Sequence, residues 1–206
     1  MKLSNYMARQ FSNPSGLFGK LIIGNMLNKA NEASNDLVLK MLALENNSRV
    51  LEVGFGGGDL LLKISKHIST GTINGVEMSE AMVKSLTNKL DSGTHIHLHQ
   101  ATLESLPFKN EAFDRACSVN TIYFWPDLTQ GLLQFSKVLQ PEGILVLGFG
   151  SDKSLRKAGY HERGFSLYSL DQISNALRNT GFGDIEQKTI ERPKRGTFYV
   201  LKANRL

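Results

Sequence analysis

The chain has 206 residues, 41% hydrophobic and 21% charged, which suits one domain with a sizeable core and leaves little room for two. Its net charge of +5 is a mild excess, and no stretch reaches the roughly 18 uninterrupted apolar residues of a membrane span, so no such span is expected. A nucleic-acid surface would need a longer basic stripe with interleaved aromatics than Arg192-Pro193-Lys194-Arg195, which reads as a solvated turn.

Residues 1–35 are polar and carry the turn signal Asn13-Pro14-Ser15-Gly16, so they read as an irregular N-terminal arm with one or two short helices. Gly16 to Gly24 is broken by glycines and Lys20 and lacks a small-residue cleavage site, so no secretory leader is expected. Ser34 suits an N-cap ahead of Leu37, Val38, Met41, Leu42 and Leu44, an amphipathic helix ending before Asn46-Asn47. A strand over Arg49 to Val53 leads into Gly54-Phe55-Gly56-Gly57-Gly58. The helix that follows buries Leu60, Leu61, Ile64 and Ile68.

Thr72 to Glu77 is a second strand ending in an acid, and Ser79 then caps a helix whose inner face is Met82, Val83, Leu86 and Leu90. His95-Ile96-His97-Leu98-His99 alternates as a third strand. Its histidines lie about 7 Å apart along one face, too far to close on one ion, and no metal is expected. Phe113 to Val119 makes a fourth strand, holding the single cysteine, Cys117, so no internal disulfide can form and the cytoplasm is the expected compartment. The aromatic segment Asn120 to Asp127 precedes a helix with Leu128, Leu132, Leu133, Phe135 and Val138. Pro141-Glu142-Gly143 turns into a fifth strand, Ile144 to Phe149. Residues 151–166 are polar and basic and read as an excursion over the sheet edge, of the kind that covers substrates. A helix over Leu170 to Leu177 and a hairpin of Gly183 to Ile190 with Gly196 to Lys202 close the chain.

This alternation requires an α/β fold: a Rossmann-like, doubly wound, mostly parallel seven-stranded sheet with helices on both faces and an antiparallel C-terminal hairpin. The first glycine loop opens at the carboxyl edge of that sheet. A dinucleotide would require Gly-x-Gly-x-x-Gly, but Asp59 stands where the last glycine belongs. Glu52 and Asp59 would also bracket a pyrophosphate with like charge, so a phosphate-free cofactor with a cationic end suits the loop better than a nicotinamide dinucleotide does.

Val50-Leu51-Glu52-Val53-Gly54-Phe55-Gly56-Gly57-Gly58 resembles the first motif of the class I S-adenosylmethionine-dependent methyltransferases. Gly75-Val76-Glu77-Met78-Ser79, Ala101 to Phe108 and Phe113-Asp114 resemble their later motifs, in order, over roughly residues 48–150. Asn13-Pro14-Ser15-Gly16 and Asn120 to Asp127 are similar to a small-molecule branch related to the quinone-biosynthesis methyltransferases. The resemblance implies S-adenosylmethionine as cofactor and S-adenosylhomocysteine as product. Glu52 would hold the methionine amino group, with the backbone of Gly54, Phe55, Gly56 and Gly58 against the ligand. Glu77 would accept from both ribose hydroxyls, Met78 would line the adenine, and the Leu103 N–H would read a ring nitrogen. Thr102 departs from the family, in which an aspartate commonly receives the adenine amino group; a threonine accepts that bond more weakly.

Methyl transfer needs an aligned nucleophile in a water-poor pocket, and a dedicated base is optional. Asn120 and Tyr123 are the expected substrate-side, catalytic pair, and Asn120 also borders the cofactor. Their spacing is similar to the Asn-Pro-Pro-Tyr motif of amino-group methyltransferases, with Thr121-Ile122 replacing both prolines. Phe124 and Trp125 are candidate pocket walls; Tyr6, Tyr160, His161 and Tyr168 are candidate lid residues. The function expected is methyl transfer to a small organic molecule, with the arm and residues 151–168 closing over it within a single domain. The alternatives are a non-catalytic S-adenosylmethionine-binding or assembly protein, and an amino-group methyltransferase acting on a macromolecule.

Overall fold

A computed structural model of the chain describes residues 32–91, 93–192 and 196–206. Most of the expected arm, including Tyr6, and Pro193-Lys194-Arg195 of the basic turn lie outside the described residues. Five strands run parallel: β1 (Arg49–Val53), β2 (Thr72–Glu77), β3 (Ile96–Gln100), β4 (Phe113–Val119) and β5 (Leu139–Gly150). Antiparallel to β5 comes β7 (Gly196–Arg205), which pairs in turn with β6 (Phe182–Arg192). The sheet order is β3-β2-β1-β4-β5-β7-β6, as the alternation required. The chain starts in the middle, winds outward to β3, then returns to β4 on the other side of β1. The strand order therefore reverses between β1 and β4, and in open sheets of this kind the crevice that takes a ligand lies where the loops leaving two such strands diverge.

Each face of this sheet is covered. Helix α1 (residues 32–41), α2 (Asp59–Ile64) and α3 (Glu80–Thr87) contribute Val38, Leu42, Leu61, Ile64 and Leu86 to a cluster with Val50, Ile73, Cys117, Val146 and Val200. On the opposite face, α4 (Leu128–Val138) and α6 (Leu170–Asn179) bring Leu132, Phe135, Ile173 and Leu177 against Leu51, Val53, Ala116, Leu145 and Leu147. With both faces covered, β1 buries every residue after Arg49, its Glu52 included, and β4 buries Phe113 and Ala116-Cys117-Ser118. No helix among the described residues is long and apolar enough to cross a membrane.

Several expected boundaries move. Helix α1 already covers residue 32, so Ser34 lies inside it, fully buried, and is not an N-cap. Its carboxyl end is held by Arg115, whose guanidinium donates to the carbonyls of Leu42 (2.9 Å) and Ala43 (3.2 Å). Pro141-Glu142-Gly143 does not separate the fifth strand from what precedes it: β5 begins at Leu139, and the extra residues are absorbed as a register shift, with Glu142 at φ 63°. Residues 151–166 are no plain loop, since they contain α5 (Asp152–Lys157), capped by Ser151. The His strand is a sheet edge, where His99 Nε2 meets Asn74 Oδ1 at 2.9 Å and its ring stands edge-on to Phe108.

A capping box opens α6: Ser169 Oγ accepts from the Gln172 N–H (3.2 Å) and Gln172 Oε1 accepts from the Ser169 N–H (2.8 Å). Ser169→Ala is therefore expected to cost about 1 kcal/mol. Urea unfolding should show a lower midpoint with an unchanged slope; an unshifted midpoint would count against the cap.

Candidate functional site

The glycine loop leaves β1 at Val53 and is pinned by the Gly54 N–H, which donates to the Val76 carbonyl at 2.7 Å. Its three spaced glycines have different reasons to lack a Cβ. Gly54, at φ 77°, faces Thr121 so closely that an added Cβ would lie 2.3 Å from Thr121 Cγ2. Gly58, at φ 83°, is crowded by Leu86. Gly56, at φ 53°, faces open space. A Cβ there would project into the crevice, so this is the point where a ligand can lie against bare backbone. The Phe55 side chain points the other way, buried against Gly75 and Leu61, so only its backbone borders the crevice.

Strand alternation puts Glu52 on the same sheet face as Val50 and Glu77 on the same face as Ile73, beneath α2. Both carboxyls are buried. Glu77 is well held: Oε2 accepts from the Gly56 N–H (3.1 Å) and Oε1 from the Ser79 N–H (3.0 Å). Ser79 stands at the N-cap of α3; its N–H goes to Glu77 and its hydroxyl makes no cap bond. Burial still raises the Glu77 carboxyl above the ordinary range, with the N–H groups of Ser79, Gly56 and Met78 opposing. Glu52 is less well served. Its Oε2 has no hydrogen-bond partner among the described residues, and burial, then the charges of Asp59 and Glu77, push it up to about 8 against one bond from the Leu61 N–H. Asp59, in the first turn of α2, accepts from Asn35 Nδ2 at 2.8 Å and so ties α1 to α2.

At the rim, Met78 is 48% exposed, an unusual position for an apolar side chain beside two buried acids. Thr102 is exposed and starts a short 3₁₀ turn, Leu103–Ser105, in which the Leu103 side chain is buried.

Across the crevice, the segment after β4 is locked by a chain of hydroxyls. Ser118 Oγ donates to the Val53 carbonyl (2.7 Å), Thr121 Oγ1 donates to Ser118 Oγ, and Trp125 Nε1 donates to Thr121 Oγ1 (3.2 Å). The Ser118 proton is committed to Val53, which fixes the direction of the whole chain. Trp125 is accordingly a buried tie and no pocket wall. Asn120 adopts φ 58°, a left-handed conformation rare outside glycine, held by its N–H donating to the Gly148 carbonyl (2.8 Å). Tyr123 is buried. Its hydroxyl accepts from the Gly150 N–H and donates to Asn120 Oδ1 (3.4 Å), and burial raises the phenol well above its usual range. It therefore reaches the crevice through Asn120. The ring of Phe124, 38% exposed, stays at the surface.

Phe165 joins the two halves of this side, and nothing in the local sequence pattern marks it. It packs 5.0 Å from Phe124, 5.1 Å from Tyr160 and 6.4 Å from Tyr123 between ring centroids, while the Ser166 N–H donates to the Tyr123 carbonyl (3.1 Å). His161 is exposed beside Glu162, and Tyr168 packs against the core.

With this geometry in place, the similarities of the chain to known proteins are specific. Residues 50–143 match a family described as a methyltransferase domain. The ubiquinone/menaquinone biosynthesis C-methyltransferase UbiE of Syntrophotalea carbinolica is 31% identical over 163 residues, 78% of this chain and 68% of the relative. An uncharacterized methyltransferase, YdaC of Bacillus subtilis, is 28% identical over 123 residues, 60% of this chain and 67% of its own. The solved S-adenosylmethionine-dependent methyltransferase of Mesorhizobium loti superposes with a TM-score of 0.71, over 82% of this chain and 96% of its own, at 19% identity, a likeness of fold. Sheet order and superposition define a Rossmann-like fold, and the matched domain defines a methyltransferase. The chain belongs to the class I S-adenosylmethionine-dependent methyltransferases, of the quinone-biosynthesis-like type.

The residues present fit that cofactor. An unpartnered, buried carboxylate oxygen suits an ammonium group, and the open space over Gly56 admits a ligand against the backbone.

Two outcomes follow from this geometry. The folded chain keeps the Glu52 proton up to about pH 8, whereas the unfolded chain loses it near 4.5, so Glu52 makes stability fall as pH rises between those values and level off above. Glu52→Gln, which cannot ionise, should gain several kcal/mol on the parent between pH 5 and 8 and little below; a constant difference across pH would remove the argument. Separately, Gly54→Ala should cost about 2–3 kcal/mol, and adding Thr121→Ser, which deletes the clashing methyl, should recover part of it. Strict additivity in the double variant would show that Thr121 is not what confines Gly54.

Proposed function

We propose that this enzyme transfers the methyl group of S-adenosylmethionine to a small organic acceptor held between the segment after β4 and residues 151–168, the chain forming one domain with residues 1–35 as an arm. The observation that carries the reading is the Glu52 carboxyl, buried without a partner for Oε2 beside a loop that opens at Gly56. Bound there, the cofactor supplies a methyl group on a positively charged sulfur.

In this reading Glu52 gives up its proton and holds the amino group of the methionine part, turning an unpaired buried charge into a paired one. Glu77, already oriented by the Gly56 and Ser79 N–H groups, uses its remaining lone pairs for the ribose hydroxyls. Exposed Met78 covers the adenine, the Leu103 N–H at the start of its turn faces the ring edge, and Thr102 offers a weaker acceptor. Gly54, Phe55, Gly56 and Gly58 supply backbone. Asn120, strained and aimed by Tyr123, orients the acceptor, and positioning with exclusion of water supplies most of the rate. The names of the relatives, among them demethylmenaquinone methyltransferase and malonyl-[acyl-carrier protein] O-methyltransferase, support methyl chemistry on small organic groups and leave the accepting atom open.

Calorimetry with S-adenosylhomocysteine tests the donor half. Glu77→Ala should weaken binding roughly ten- to a hundredfold by removing charge-assisted bonds. Because Glu52 must ionise to pair with the ammonium, affinity in the parent should rise with pH about tenfold per unit and flatten near 8, and Glu52→Gln should abolish that slope. Stabilisation by NADH and not by S-adenosylhomocysteine would overturn the reading of the loop.

A further inference from the structure

The excursion after β5 is fastened along one side only. Ser151 donates its N–H to the Thr197 carbonyl (2.9 Å), Ser154 Oγ accepts from the Thr197 N–H (3.2 Å), and Leu155 lies 3.5 Å from the position a Cβ would take on Gly150. These contacts fix the rotation of α5. They turn Lys153, Arg156 and Lys157 to the opposite, exposed side, and the i, i+3, i+4 spacing gathers them into one stripe. None of the three has an ion-pair partner among the described residues, although Asp152 and Glu162 belong to the same excursion. Arg156 and Lys157 lie in the last turn, where the carbonyl end of the helix favours cations, so the fold tolerates a stripe that remains open to an anionic partner. The same excursion carries Tyr160 and Phe165, which continue through ring contacts to Phe124, a large apolar side chain left 38% exposed at the carboxyl edge.

We propose that the cationic face of α5 is a docking surface for an anionic lipid bilayer, bringing the carboxyl edge of the sheet to the membrane surface. Charge complementarity selects the partner. A bilayer attracts each cation without demanding a fixed register, and it also receives an exposed aromatic ring at its interface. An acidic protein would need on the order of 1,200 Å² of matched surface to bind stably, and the stripe occupies one face of a six-residue helix. A nucleic acid would need a longer basic stripe interleaved with free ring faces, whereas Tyr160 and Phe165 are packed on each other. The net charge of +5 favours the approach.

Flotation of the full chain with vesicles tests this without turnover. The protein should float with phosphatidylcholine vesicles containing phosphatidylglycerol, stay behind with phosphatidylcholine alone, and be released by roughly 0.5 M salt. Lys153→Gln, Arg156→Gln and Lys157→Gln together should lower partitioning by about a hundredfold, because each cation near such a surface contributes about fivefold. The distant pair Lys40→Gln and Lys188→Gln should not change it. S-adenosylhomocysteine affinity, measured on the same triple variant, should be that of the parent, which separates this surface from the donor site and shows that the fold is intact. Undiminished flotation of the triple variant, equal flotation with neutral vesicles, or capture by polyglutamate in place of vesicles would each overturn the proposal, the last pointing to an acidic protein.

Discussion

Two carboxyl groups buried on one side of one sheet govern the architecture of the site. Glu52 and Glu77 end neighbouring parallel strands, and β1–β2 pairing with strand alternation puts them under the same helix. Burying one carboxylate is costly and burying two together is worse, as the raised positions of both show. The chain resolves the conflict unevenly. It spends two backbone N–H groups on Glu77 and leaves Glu52 protonated near neutrality with a vacant lone pair. An acid fully satisfied by the protein would have nothing to offer a cationic ligand. The unsatisfied one is where binding energy can be gained.

The glycine loop has to accommodate this arrangement. Gly56 gives its N–H to Glu77 and so commits its own φ to the left-handed region. Gly54 approaches Thr121 so closely that the donor side and the segment after β4 are in contact. Through Thr121 the hydroxyl chain reaches Ser118, Val53 and Trp125, so the loop after β1 and the loop after β4 are tied together. This coupling is the physical content of the switch point: two loops that diverge in sequence are clamped at their bases and open only at their tips.

Much of this could be read from the sequence, and the reason is physical. β2 and β4 have the expected bounds because Gly71 and Asn110-Glu111 mark where they start and Glu77 and Asn120 where they stop, and α4 is legible as a helix because Leu128, Leu132, Phe135 and Val138 keep helical spacing. Ser34 misled because a serine buried within a helix has the same local signature as a serine that caps one. The polar stretch over residues 151–157 hid a helix because its stability comes from Ser151, Ser154 and the contact with β7, which are cap and tertiary terms and no apolar face. In the site, the acids and the glycines were legible because their chemistry is local. Phe165 was not, since its importance lies in meeting Tyr123, Phe124 and Tyr160, which the fold alone brings together. Tyr123 was legible as a residue of interest and not as to its use, because only the position of the Gly150 N–H shows that its hydroxyl faces inward.

The two halves of the crevice are built to different standards of rigidity. On the side of the glycine loop, Gly54, Phe55 and Gly56 are each tied to β2 by a hydrogen bond or a close packing contact and Gly58 packs on Leu86 of α3, which suits a ligand that is the same at every turnover. The side proposed for the acceptor rests on one asparagine of left-handed backbone, one buried tyrosine and a set of aromatic contacts made by an excursion fastened at its base to β7. Aromatic contacts of this kind are worth about 1 kcal/mol each, so rings can be exchanged or shifted without unseating the hydrogen bonds that hold the glycine loop and Glu77. A fold divided in this way can keep its cofactor while the identity of the acceptor changes. The same division explains why the cofactor follows from a few letters of sequence and the acceptor does not: the first depends on backbone placed by the sheet, the second on side chains that meet only after folding.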